Sequence, residues 1–155
     1  MALIESFKDA DDADKGVHDM FARKDLVMGF GHRVYKTTDP RNVIIKEWSR
    51  AYANSDEPRL TGTPAQRQNL FAISERIESI MWNEKKMFPN ADFYHATTYH
   101  FMGIPTPLFT PIFVMSRITG WAAHIFEQRA NNRLIRPSAD YVGPSLTKVV
   151  PMAAR

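Results

Sequence analysis

The 155-residue chain contains no cysteine. That excludes disulfides, thiolate catalysis and cysteine-ligated zinc, and it fits a cytoplasmic protein. Charge of one sign is also scarce. Twenty Lys plus Arg stand against 17 Asp plus Glu, a formal net charge of +3. With no basic helix face and no interleaved aromatics behind it, so small an excess speaks against a nucleic-acid surface. It leaves a few cations to converge on one small anion. Long apolar runs are missing too. The longest, residues 107–119, is broken by Pro111 and Arg117 and is too short for a membrane span. The start, MALIESFKDADDADKG, is acidic and lacks the basic-then-apolar layout of a signal peptide. His18, His95 and His100 have no HExxH-like spacing, so no metal site is expected.

What is present is an ordinary globular composition, 44% hydrophobic and 24% charged. It is enough for one domain, or a small domain with an appendage, burying about 70% of its unfolded surface. Apolar periodicity predicts a mainly α-helical chain with very little strand. Residues 3–25 read as one amphipathic helix with a polar middle, its apolar positions being Ile4, Phe7, Val17, Met20 and Phe21. Asp39-Pro40 is a helix-start signal. The helix it opens runs to about Ala53, with Val43, Ile44, Trp48 and Tyr52 on one side. The polar, Gly- and Pro-bearing stretch 54–67 reads as a surface loop. A helix follows from near Gln68 to about Met87, then a break at Pro89-Asn90 and a helix over 91–102. A turn at Gly103-Ile104-Pro105 leads to a last helix over 106–130 and an irregular arm. From Leu108 to Phe126 this last helix is apolar around nearly its whole circumference. Such a helix is normally buried on all sides, so a partner subunit or further chain is expected to cover it.

Three patches carry candidate chemistry. The first is GFGHRVYKTTDPR, residues 29–41. Its glycines let the backbone turn sharply and approach a ligand. His32 can donate to a carbonyl oxygen, Arg41 offers a planar fork for a carboxylate, and Lys36 is a point charge suited to a phosphate. The same residues also read as a solvated surface loop with a locally satisfied histidine. The second is KKMFPNADFYH, residues 85–95. Asn90 can cap the following helix, which places Asp92 in its first turn, where the helix dipole keeps a carboxylate ionised. Phe88, Phe93 and Tyr94 supply apolar surroundings that would raise its basicity; a plain helix-start aspartate is the alternative. The third is the pair Arg117 and Arg136. Arg117 interrupts an apolar helix with no acid at i±3 or i±4, so a buried Arg117 needs a distant partner or an anionic ligand. Arg136 also reads as an ordinary surface charge, and His124 as a packed core histidine.

Together and in this order, these patches resemble the citrate synthase family. GFGHRVYKTTDPR resembles its signature, FPNADFYHATTY its catalytic aspartate segment, and FTPIFVMSRITGWAAHIFEQRANNRLIRPSADYVGP its C-terminal part. EWSR, SERIESIMW and NRLIRPSADYVGP look most like the 2-methylcitrate synthase branch. The resemblance implies an all-α enzyme, expected to be homodimeric, that condenses an acyl-CoA, propionyl-CoA or acetyl-CoA, with oxaloacetate and releases CoA. Coenzyme A enters as a substrate thioester, and no cofactor is held permanently. By matching motif, Asp92 is the base and His32 polarises the oxaloacetate ketone. Arg41, Arg117 and Arg136 hold its carboxylates, Lys36 lies near the CoA phosphates, and Phe113 helps wall the pocket. The resemblance further implies a small domain over 1–102 and a segment of the large domain over 103–155. In the family a histidine that stabilises the enolate lies well upstream of the signature. The chain therefore reads as a C-terminal portion, inactive in isolation. The alternative is a non-catalytic CoA-binding or protein-interaction module of the same descent. His95 departs from the small Ser that many relatives carry there.

Overall fold

The computed structural model describes residues 1–132 together with 140, 142–143, 145 and 151–152. Among them the elements are α1 (Ala2–Glu5), α2 (Ala10–Arg23), α3 (Pro40–Ala53), α4 (Pro64–Lys85), α5 (Ala91–Phe101), a 3₁₀ turn (Thr106–Leu108) and α6 (Phe109–Asn131). The only extended pairing among the described residues is an isolated bridge between Phe30 and Pro89.

Local chemistry explains the boundaries. The single helix expected over 3–25 is two helices, α1 and α2. Asp9 is extended and its carboxylate accepts from the N–H groups of Asp11 and Asp12, so it caps a new helix. Phe7, in the break, folds back on α2. A Cβ at Gly16 would lie 2.2 Å from its ring, so the glycine makes room for it. The helix expected from Gln68 instead starts at Pro64. Thr63 and Gln66 form a reciprocal capping box, and proline suits the first helical turn. That shortens the 54–67 loop and moves Arg67 into the helix, where it is buried. The starts of α3 and α5 stand where the Asp-Pro and Asn90 signals put them.

Contacts divide the chain into two units, Met1–Ser116 and Arg117–Arg155. In the first, α4 is the central element. α1 and α2 pack on it, as do α3 and α5, and α3 and α5 form the most extensive pair. Ile4, Val17, Phe71, Ile73, Ile77, Phe93, Tyr94 and Phe101 make its core. The α3–α5 interface is built from small polar residues. Ser49 and Thr97 share a buried hydrogen bond of 2.7 Å, and α3 buries Asn42, Ser49 and Ala53. Its apolar side is not its buried side: Val43, Ile44 and Trp48 are each about half exposed. No residue of α6 is buried. His124, read as a core histidine, is exposed and lies 3.5 Å from the exposed Glu127. No helix among the described residues is long and apolar enough to cross a membrane.

Candidate functional site

The glycine-rich loop is laced to the start of α5. Gly29 and Gly31 take φ values of +94° and +74°, which glycine adopts without a Cβ clash. At Gly29 a Cβ would also lie 2.9 Å from the Phe93 ring. In this conformation the Gly31 N–H donates to Phe88 O and the Asn90 N–H donates to Gly29 O. Asn90 Nδ2 donates to Gly31 O at 3.1 Å, while Asn90 Oδ1 accepts from the Asp92 N–H. One asparagine thus caps α5 and ties the loop carrying His32 to the helix carrying Asp92.

Asp39 makes the second tie. Its carboxylate is fully buried. Oδ1 accepts from the Arg41 N–H and from Arg41 Nε, at 3.1 and 2.9 Å. Oδ2 accepts from Arg41 Nη2 at 2.7 Å and from the Ala91 N–H, 52 residues away, at 3.0 Å. The Arg41 guanidinium beside it holds the Asp39 carboxyl well down, at about 2, against the opposing effect of burial. Asp39 therefore joins the N-termini of α3 and α5 and aims Arg41. The sequence displayed the helix start but not the second partner, because the Ala91 N–H is distant in the chain.

Asp39 occupies one edge of the Arg41 guanidinium, and the other edge meets His32. His32 Nδ1 accepts from the Val34 and Tyr35 N–H groups at 3.0 and 3.2 Å. In a neutral ring this places the proton on Nε2. His32 Nε2 then lies 3.3 Å from Arg41 Nη2, donor against donor. Neither can serve the other, and an oxygen acceptor placed between them would serve both. Tyr35 backs the pair, its ring 4.7 Å from the His32 ring and 5.6 Å from the Arg41 guanidinium carbon.

Asp92 stands in the first turn of α5 and its charge acts on both Arg41 and His95. Its surroundings differ from the expectation. Phe93 and Tyr94 turn into the core and Phe88 is buried, leaving Asp92 exposed. His95 is half-buried and stacked on Tyr99 at 5.0 Å. Burial pushes its imidazole below the ordinary value, partly offset by Asp92. Lys36 is exposed, its Nζ donating to Arg33 O at 3.2 Å. Phe113 is about half exposed on α6. Arg117, expected to be buried, is exposed on the same uncovered helix. Arg136 lies outside the described residues. The structure thus brings His32, Arg41 and Asp92 together on one side of the first unit. Asp39 and Asn90 are legible in the sequence as helix starts, but their second partners, the Ala91 N–H and Gly31 O, are not, and nothing in the sequence marks Tyr35 as the ring behind His32 and Arg41.

The citrate synthase C-terminal domain profile matches residues 1–138. The chain is 54% identical to a 2-methylcitrate synthase of Shewanella oneidensis, over 100% of this chain and 39% of that one. It is 46% identical to citrate synthase 2 of Bacillus subtilis, again over 100% and 39%. Among solved structures it superposes on a citrate synthase of Thermoplasma acidophilum, a ternary complex with carboxymethyl coenzyme A and oxaloacetate. The TM-score is 0.78 at 34% identity, covering 99% of this chain and 40% of that one. A citrate synthase from Thermotoga maritima gives 0.74 at 33% identity, covering 99% and 40%. The chain spans about two fifths of the length of the relatives it matches.

Proposed function

This chain belongs to the citrate synthase family, whose C-terminal domain it matches over most of its length, and from that we propose that it carries one wall of an acyl-CoA:oxaloacetate condensation site. The observation that supports this best is the paired donors of His32 and Arg41. A ketone flanked by carboxylates presents neighbouring oxygens to them: Nε2–H of His32 meets the ketone oxygen and the open edge of Arg41 a carboxylate. As the new carbon–carbon bond forms, negative charge grows on the ketone oxygen, where a preorganised donor counts most. Asp92 takes the proton from the α-carbon of the acyl-CoA. The enolate carbon attacks the ketone, and water then cleaves the thioester to release CoA. Lys36 faces the CoA phosphates, and Phe113, Arg117 and Arg136 complete the pocket in a homodimer. The likeness to the Shewanella enzyme favours propionyl-CoA as the acyl donor. We also read residues 1–102 as a small domain and 103–155 as part of a larger one.

A carboxylate is a weak base toward carbon, so the enolate oxygen needs its own donor. His18 does not supply it. It lies on α2 and faces α4, with Nε2 2.5 Å from Glu84 and Nδ1 2.7 Å from Asp14 O. The 155 residues alone are therefore expected to bind without turnover. Calorimetric titration with oxaloacetate and with CoA tests this. Oxaloacetate binding that Arg41→Ala abolishes supports the reading. Binding untouched by Arg41→Ala and Arg117→Ala, or citrate-forming activity of the isolated chain, counts against it.

A further inference from the structure

We propose that His95 determines which acyl groups the site accepts: its ring, braced by Tyr99, is the wall that limits the length of the acyl chain. This rests on the condensation reading, in which Asp92 meets the acyl α-carbon.

The first observation is helical geometry. A base must reach the hydrogen it removes. The next carbon of the acyl chain lies one bond beyond the α-carbon, so the side chains nearest Asp92 decide whether it fits. On a helix these are the residues three and four positions on, with Cβ atoms about 5–6 Å apart. For Asp92 they are His95 and Ala96, and Ala96 is buried. Among the other rings of α5, Phe93, Tyr94 and Phe101 are buried in the core, and His100 directs Nδ1 toward Glu5 at 3.7 Å. His95 and Tyr99, at i+3 and i+7, are the rings left on the Asp92 face, each half-buried.

The second observation is charge. Asp92 acts on both His95 and Tyr99, and Arg41 acts on His95 as well. His95 therefore stands beside the space between the base and the arginine, not on a remote side of the helix. Burial pushes its imidazole below the ordinary value, so the ring is uncharged at neutral pH. It offers an acyl chain a flat face rather than a hydrated cation.

The third observation is the brace. His95 stacks on Tyr99 with centroids 5.0 Å apart and planes 23° from parallel. Tyr99 in turn meets the edge of Phe109 at 5.3 Å and 69°. Phe109 opens α6 and belongs to the same unit as α5. A ring free to swing aside would admit chains of any length. A ring held by a second, itself held by a third, resists displacement. A chain one methylene too long must move packed rings, and that is how a fixed wall discriminates by length.

The test is calorimetric titration of acetyl-, propionyl- and butyryl-CoA, with CoA as the comparison, into the full 155-residue chain saturated with oxaloacetate. Propionyl-CoA should bind about tenfold more tightly than butyryl-CoA, the scale of one methylene in a fitted pocket. His95→Ala should narrow that ratio to about twofold or less by opening the wall. His95→Trp should move the other way and weaken propionyl-CoA about tenfold against acetyl-CoA. Neither variant should change the affinity for CoA itself, which has no acyl chain. A merely structural role for His95 would shift all four ligands alike. The proposal is overturned if the acyl-CoA ratios stay fixed in whichever of the two variants folds, or if the native chain binds butyryl-CoA as tightly as propionyl-CoA. Failure of the condensation reading looks different: with no oxaloacetate-dependent binding of any thioester, that reading falls and takes this inference with it.

Discussion

Asp39 holds Arg41 edge-on, with Arg41 Nε 2.9 Å from Oδ1 and Nη2 2.7 Å from Oδ2. The acid is wholly buried while the arginine keeps its far edge toward His32. A carboxylate held this way sets the direction of a cation that a ligand then meets. Its carboxyl titrates at about 2 when folded, below the 3.8 of an unperturbed group. Stabilisation from the charged form is therefore complete above about pH 4 and lost as the pH falls through about 2, amounting to roughly 2 kcal/mol. Asp39→Asn should remove that pH dependence and weaken oxaloacetate binding together. Urea unfolding of both proteins between pH 6 and pH 2 checks the first part, and calorimetry the second.

Gly29→Ala should destabilise the chain by about 1–3 kcal/mol, because the backbone is in a region that side chains avoid and the new Cβ meets Phe93 at 2.9 Å. The damage should localise. Amide exchange should accelerate at Gly31 and Asn90, whose N–H groups bond across this junction, while that within α2 stays unchanged.

Much of this was legible in the chain because it is local. Asp39-Pro40 and Asn90 announce helix starts, and the GFGH glycines announce a turn. In α3 and α6 the apolar residues do not mark a buried face. α3 packs on α5 through Ser49 against Thr97, so its buried side carries little hydrophobic signal. Arg67 lies in a polar stretch that reads as loop, yet the Thr63–Gln66 capping box opens α4 ahead of it. The double role of Asp39 could not be read, since nothing near it in sequence points to Ala91.

Arg67 should be among the most sensitive positions in the chain. It is 3% exposed and donates to the carbonyl oxygens of Tyr52, Ser55, Thr61 and Gly62, closing the 54–63 loop over the start of α4. Arg67→Met strands those oxygens and should cost about 3 kcal/mol or more. Arg67→Lys recovers little, since an ammonium cannot span the fork. Chemical denaturation of the two variants measures both.

His18 adds a pH dependence of opposite sign. The carbonyl of Asp14 and the carboxylate of Glu84 raise its imidazole above the ordinary 6.5. The charged form is favoured in the folded chain, so its stabilisation is present below pH 6.5 and lost as the pH rises through the higher folded value. The NMR titration midpoint of His18 should lie above 6.5 and should fall in Glu84→Gln, and His18→Gln should flatten the stability profile on the alkaline side of neutrality.

The proposed function turns on His32, Arg41 and Asp92 forming the reactive wall of a condensation site. Its most direct test is a chimera in which this chain replaces the matching two fifths of the Shewanella oneidensis 2-methylcitrate synthase, assayed for CoA release from propionyl-CoA and oxaloacetate. Turnover is expected in the chimera, with a loss of roughly 10²–10⁴-fold in kcat for Asp92→Asn, the range for a positioned general base. A folded chimera that keeps its kcat with Asp92→Asn and with His32→Ala would contradict it.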